Sequence, residues 1–223
     1  VFAMIAYTVG SYGIAMLIPL GKLILSVAGA TALFICVVAL IASLFTGINF
    51  FHVIRALKDI LFLAFSTASS EAALPGAMKR LEELGVPKTI VTFVMPTGYS
   101  FNLDGSTLYS SAGILFIAQL YGIQMPIEQQ LLVMVTLMLS TKGIAGVPGA
   151  GIIVVAATAA AFNLPTEGVA ILLGIDRLLD MIRTICNVCG NCMATVVVAC
   201  WEKELNKATF NEKYRAFLGG KNR

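Results

Sequence analysis

Long apolar runs alternate along the chain with short polar clusters, and the length of each run predicts what it can form. Residues 1–14 read as the end of one hydrophobic helix, closed by Gly10-Ser-Tyr-Gly13, and a second helix is expected over 15–48. No charged residue occurs between Lys22 and His52, and the stretch from Leu23 to Phe45 is long enough to cross a hydrocarbon layer of about 30 Å. From Ile60 the apolar signal resumes, then breaks at Ser66-Thr-Ala-Ser-Ser-Glu-Ala-Ala-Leu-Pro75 and soon meets Lys79 and Arg80. Neither half is long enough to cross, so 50–85 is predicted to be a helical hairpin whose return helix starts at Pro75. Residues 88–122 predict a crossing interrupted twice, at Pro96-Thr-Gly98 and at Asn102-Leu-Asp-Gly-Ser-Thr107. A second hairpin is expected over 127–163, its arms flanking the glycine-rich tip at 140–151. A spanning helix over 165–203 and a tail over 206–223 complete the pattern.

The last of these helices carries an unusual stripe. Asp176, Asp180, Arg183, Asn187 and Asn191 are spaced four, three, four and four apart, so at 3.6 residues per turn they share one face. Ionisable groups at membrane depth cost several kcal/mol unless they are paired or face a wet cavity, which makes the stripe a solute or ion site by default. A buried structural pair of Asp180 with Arg183 is the plain alternative, but it has no use for three further polar groups in register.

Composition agrees with the pattern. Hydrophobic residues make up 58% of the chain and charged ones 12%, and mean hydropathy is +0.90, values that exclude an ordinary soluble domain. The net charge of +3 does not indicate nucleic acid, because the basic residues gather at the expected membrane edges. His52, Arg55 and Lys58, then Lys79, Arg80 and Lys88, place the first hairpin's entry on the cytoplasmic side. Residues 121–130 contain no Lys or Arg and should face outside, and the basic cluster from Lys203 to Arg223 puts the C-terminus in the cytoplasm. His52, the only histidine, reads as an interfacial residue. An apolar start without an initiating methionine, n-region or cleavage site leads us to expect that the chain is part of a longer protein.

Cys186, Cys189 and Cys192 form a C-x2-C-x2-C run of the kind that holds iron–sulfur clusters. On a helix it faces away from the polar stripe, and three small thiols suit helix packing better. No disulfide or metal–sulfur cofactor is expected. The tip at 140–151 also fails as a phosphate loop, because Lys142 precedes the glycines.

The predicted order is helix, hairpin entering from the cytoplasm, broken crossing, hairpin entering from outside, and crossing. That is the pattern of inverted-topology repeats, whose solute site lies where the broken helices meet. Ser69-Ser-Glu-Ala-Ala-Leu-Pro75, Asn102-Leu-Asp-Gly-Ser-Thr107, Gly143-Ile-Ala-Gly-Val-Pro-Gly149 and the stripe from Asp176 to Asn191, in that order, resemble the dicarboxylate/amino acid:cation symporter family. Within it the chain is most similar to bacterial glutamate/aspartate symporters coupled to protons, sodium or both. Glutamate transporter homologues are themselves among the known examples of inverted-repeat architecture, so the pattern and the resemblance do not count as two independent signals.

The resemblance implies an all-α polytopic protein of the cell inner membrane with the glutamate-transporter fold: a trimer when full length, with elevator-type alternating access. Residues 1–14 would belong to a scaffold helix and 15–205 to the mobile transport domain, as the C-terminal half of a longer chain. It also implies roles. Arg183 would pair with the side-chain carboxylate of L-glutamate or L-aspartate, Asp180 would hold the α-amino group, and Thr184 and Asn187 would add hydrogen bonds. Ser69, Ser70 and Ser106, with Gly143, Val147 and Gly151, would wrap the rest of the substrate. Gly98, Ser100, Asn102, Asp104, Thr141, Asn187 and Asn191 would form the cation sites, where sodium is possible, with Asp176 a supporting acid. No cofactor is expected beyond the coupling ions.

Two departures bear on coupling. Sodium-coupled archetypes carry aspartate where this chain has Asn191, which tilts the expectation towards protons. The first tip has Ala68 where some relatives place arginine, and Glu71 beside it is the candidate proton carrier. Three competing functions stay open at this point. C4-dicarboxylate uptake would keep Arg183 but has no use for Asp180, since succinate has no ammonium. An anion channel is compatible with broken helices but not favoured by two hairpins of opposite entry. An iron–sulfur membrane subunit would show in its absorbance.

Overall fold

The structure, a computed structural model, describes residues 2–142 and 149–220, and all of the regular structure among them is helical. The helices are α1 (Phe2–Tyr12), α2 (Leu17–Thr46), α3 (Phe50–Ala56), α4 (Lys58–Thr67), α5 (Ser70–Glu83) and α6 (Lys88–Phe101). They continue as α7 (Asp104–Leu120), α8 (Ile127–Ser140), α9 (Ala150–Ala161), α10 (Glu167–Leu173), α11 (Asp176–Trp201) and α12 (Lys207–Gly220), and a 3-10 turn at Ile14–Met16 leads into α2. Two of them are long and apolar enough to cross a membrane by length and composition: the run Ile14–Thr46, and α11. At 1.5 Å per residue the 26 residues of α11 extend about 39 Å.

Helix α11 runs through the middle of the molecule between two apolar clusters. One gathers the C-terminal part of α2, α3 to α6, the later part of α11 from Val188, and Phe210 and Tyr214 of α12. The other gathers the N-terminal part of α2 with α7 to α10 and the head of α11 at Leu179. The polar stripe from Asp180 to Asn187 lies at the seam. Cys189 and Cys192 are part of the first cluster and Cys186 is buried, so these thiols pack as small apolar groups.

Four local expectations need correction. The Ser/Thr-rich tip is not a ten-residue irregular loop: only Ala68 and Ser69 separate α4 from α5. Ser66 and Thr67 donate their hydroxyls back to the carbonyls of Phe62 and Leu63, which extends α4, and the chain reverses through Ala68 at φ 50°. Ser69 then caps α5, its Oγ accepting from Ala72 N at 3.3 Å, so Pro75 lies inside the return helix instead of starting it. Pro96 likewise lies inside α6, and the unwinding is confined to Asn102 and Leu103. Finally, the helix expected over 165–203 is two helices. Gly174 and Ile175 donate to the carbonyls three residues back, of Ile171 and Leu172, so the last turn of α10 tightens and α11 starts afresh at Asp176.

Helices α4 and α5 form a helical hairpin whose base is tied by Arg80, which bonds Asp59 at 3.1 Å, Glu83 at 3.2 Å and the Ala56 carbonyl. Helix α12 closes this end. Tyr214 stacks on His52 with ring centroids 4.4 Å apart, and the Arg80 guanidinium lies over Phe217. Helices α8 and α9 make the second helical pair; the tip between them, 143–148, is outside the described residues.

Candidate functional site

The first turns of α11 present Asp180 and Arg183 three residues apart on the same face, and both are almost fully buried, at 2% and 5% exposure. Arg183 donates from Nε to Asp180 Oδ1. The other carboxylate oxygen accepts from Gly149 N at 2.8 Å, so Asp180 also holds the N-terminal end of α9. On the far side of the guanidinium, Nη1 is buried with no hydrogen-bond partner among the described residues. Desolvating a cationic donor without a partner is costly, so this nitrogen marks a place where an acceptor is needed. Gly151 backs directly onto it: a methyl at 151 would fall on Nη1 and meet the Tyr109 ring at 3.0 Å.

One turn further along, Asn187 connects α11 to the start of α7. Its Oδ1 accepts from Gly105 N at 2.9 Å and its Nδ2 donates to Ser106 Oγ at 3.1 Å. The unwound residues 102 and 103 leave that N-terminus without a preceding turn, and the asparagine supplies the missing acceptor. Gly105 is required here, since a Cβ would collide with the Arg183 carbonyl and the Cys186 side chain.

The next turn of the stripe meets the break itself. With its amide turned so that the nitrogen faces the carboxylate, Asn102 donates to both oxygens of Asp104 at 3.1 Å, while its oxygen faces the Asn191 amide at 3.1 Å. Gly98 is where α6 passes Asn191, and any side chain there would displace the amide. This is a compact set of hard oxygen donors, which suits an alkali cation and gives nothing to a soft metal. Thr141 is fully buried at the end of α8 and its hydroxyl lies 3.0 Å from that of Thr107. Ser100 is half-buried on α6.

The remaining expected residues are more scattered. Thr184 is buried, but its hydroxyl donates to the Asp180 carbonyl, which turns it onto its own helix. Ser69 and Ser70 stand at the first hairpin tip, where Ser70 is buried, and Glu71 is exposed on the first turn of α5. Gly143 and Val147 lie outside the described residues. Asp176 is half-buried at the head of α11 and accepts from Tyr109 Oη at 2.6 Å.

Sequence reasoning missed Tyr109 and Arg177. The Tyr109 ring centroid is 5.8 Å from the Arg183 guanidinium carbon, within reach of a cation–π contact, while its hydroxyl holds Asp176. A signal was available, since Tyr109 follows Gly105 by four residues and so shares its helix face. Arg177 donates from Nη2 to the Thr67 carbonyl at 3.0 Å, a contact between residues 110 apart that no local pattern announces.

A helical protein with a buried acid–base pair beside a broken helix, and an oxygen-lined cluster one turn away, has the equipment of an ion-coupled solute carrier. The chain belongs to the sodium:dicarboxylate symporter family, whose profile matches residues 1–201. This is a family of membrane-embedded symporters and not of enzymes. The chain is 53% identical over 208 residues to a proton/sodium-glutamate symport protein of Geobacillus stearothermophilus, covering 93% of this chain and 49% of that protein. It is 48% identical to the proton/glutamate-aspartate symporter of Escherichia coli (strain K12), covering 98% of this chain and 50% of that protein. It is 43% identical to a C4-dicarboxylate transport protein of Burkholderia pseudomallei (strain 668), with the same coverage. The chain spans about half the length of the curated relatives it matches.

Proposed function

We propose that the whole protein is a secondary active symporter for L-glutamate and L-aspartate, driven by protons, sodium or both. The observation that carries this reading is the Arg183 guanidinium, fixed through Nε to Asp180 while Nη1 is buried and unpartnered among the described residues. A planar fork held in this way suits a carboxylate. Asp180 supplies the complementary charge for an α-ammonium, which would compete with Arg183 and Gly149 N for its oxygens. The two charges together match an acidic amino acid, and Asn187, Ser106, Gly151 and the serines of the first tip, Ser69 and Ser70, are the remaining walls.

In this reading α4–α5 and α8–α9 are re-entrant hairpins entering from opposite sides, α11 crosses from outside to inside, and the C-terminus is cytoplasmic. Residues 15–205 are the mobile transport domain of a homotrimer that works by elevator-type alternating access. Asn102, Asp104 and Asn191 are the core of a cation site, with Gly98, Ser100, Thr141 and Asn187 around it, and Glu71 is the candidate proton carrier. C4-dicarboxylate uptake is the second reading, favoured by the similarity to transport proteins of that name. Asp180 argues against it, because a buried carboxylate repels a second acid that brings no ammonium.

The test is uptake of labelled aspartate into liposomes containing the full-length protein, with sodium and proton gradients imposed separately. Concentrative uptake under either gradient, competed by glutamate and weakly by succinate, is the expected result. Succinate uptake that aspartate does not inhibit would overturn the assignment.

A further inference from the structure

Two residues of the first turns of α11, Asp180 and Arg177, hold the two helical pairs in different ways. The α9 end of the second is held by Gly149 N donating to Asp180 Oδ2, a carboxylate that the proposed substrate would itself engage. The first is held by Arg177, whose Nη2 donates to the Thr67 carbonyl at 3.0 Å. Thr67 is the last residue of α4, and its carbonyl is one of those a helix C-terminus leaves without an intrahelical partner. A guanidinium at that position satisfies the acceptor and complements the negative end of the helix dipole. Ala68 follows in the left-handed region and Ser69 caps α5, so the bond acts where the chain reverses. At its other end Arg177 is fixed by the first turn of α11. Asp176 precedes it, held by Tyr109, and Asp180 stands three residues on.

We propose that Arg177 is a positioning residue that pins the first hairpin tip to the head of α11 whether or not substrate is bound. The inference rests on the proposed function only for what the tip does, since Ser69 and Ser70 sit within three residues of the pinned carbonyl. Arg177 need not touch substrate. It keeps those serines at a fixed place relative to Asp180 and Arg183, so that the first hairpin is the fixed wall of the site.

The experiment is hydrogen–deuterium exchange on the full-length protein in detergent or nanodiscs, following peptides that cover 64–73, with wild type, Arg177→Gln and Arg177→Met. Gln offers an uncharged donor on a side chain two atoms shorter; Met removes both donor and charge. Losing the pin is expected to speed exchange at the tip by about tenfold in Arg177→Met, without changing peptides from α2 or the later turns of α11. Gln is expected to recover part of that protection. An unchanged tip in Arg177→Met would overturn the proposal. Acceleration throughout the protein in Met, with Gln behaving like wild type at the tip, still supports the pin, because a donor without charge is then sufficient. Adding aspartate separates the two readings. If Arg177→Met frees the tip while aspartate protects no peptide of the wild-type protein, the pin is retained and the substrate is refuted.

Discussion

Replacing Arg183 by alanine is the most direct challenge to the candidate site. In the folded protein the guanidinium is 5% exposed, bonded to Asp180 and faced by Tyr109, with Nη1 buried and unpartnered among the described residues. Alanine removes the only cation facing Asp180 within the described stripe and strands whatever carboxylate the site accepts. Removing one member of a buried charge pair costs about 3–5 kcal/mol. At about 1.4 kcal/mol per tenfold, aspartate affinity should fall roughly 10²- to 10⁴-fold. Equilibrium binding of labelled aspartate to the purified full-length protein measures this, beside binding of serine or alanine, which lack the second carboxylate and should be retained or gained. The stability of the unliganded protein is read in parallel, because Asp180 also loses its partner. Arg183→Ala combined with Asp180→Asn should recover melting temperature but not aspartate binding, which separates a ligand site from a structural pair. An aspartate affinity within tenfold of wild type in Arg183→Ala would refute the assignment.

Asp180→Asn should abolish amino acid binding while affecting succinate far less, because only the amino acid loses an ammonium partner; equal loss, measured by competition, would make Asp180 structural. Asn191→Asp places a formal charge beside Asn102 and Asp104 and should increase the response of uptake to sodium, whereas Glu71→Gln should weaken uptake driven by a pH gradient in sodium-free medium. Strict sodium dependence of the unmodified protein, with no effect of an imposed pH gradient, would count against the proton. Gly105→Ala drives a methyl into the Arg183 carbonyl and Cys186, an overpacking cost of about 1–3 kcal/mol, and should lower the melting temperature together with substrate affinity. An unchanged melting temperature would show that α7 moves away from α11 freely.

The stripe on α11 was legible because helical spacing is arithmetic, and five polar groups on one face of an apolar helix admit few readings. The broken crossing was legible in part. The run from Asn102 to Gly105 marked where the helix breaks, but Pro96 looked like an interruption and is not one, since a proline removes one hydrogen bond and surrounding packing can absorb that. Serine and threonine misled in the opposite direction at 66–67: their hydroxyls bond back to the helix, so a run that reads as a loop is its last turn. The division of α10 from α11 left little trace, because Gly174 inside an apolar run is compatible with a continuous helix. Tertiary contacts were least accessible of all. The bonds from Arg177 to Thr67 and from Gly149 to Asp180 join residues 110 and 31 apart, and only the assembled fold brings them together.

The arrangement of these contacts suggests how a cation and a substrate would influence one another. Asn102, Asp104 and Asn191 lie at the break between α6 and α7, and the first free N–H groups beyond that break belong to α7. One of them, at Gly105, is held by Asn187, and one turn on, Tyr109 faces Arg183 and holds Asp176. A cation drawn to Asp104 must loosen the Asn102 amide from that carboxylate, which shifts the residues leading into α7. Because Gly105 packs against the Arg183 carbonyl, with no room for even a methyl between them, the shift reaches the helix that carries the guanidinium. Coupling of this kind is reciprocal in free energy: whatever the cation adds to substrate affinity, substrate adds to cation affinity. Asn187 is the shared element, bonded to α7 from within the stripe to which the proposed function assigns the substrate. Replacing it should therefore reduce the mutual enhancement itself, beyond any loss in either affinity measured alone.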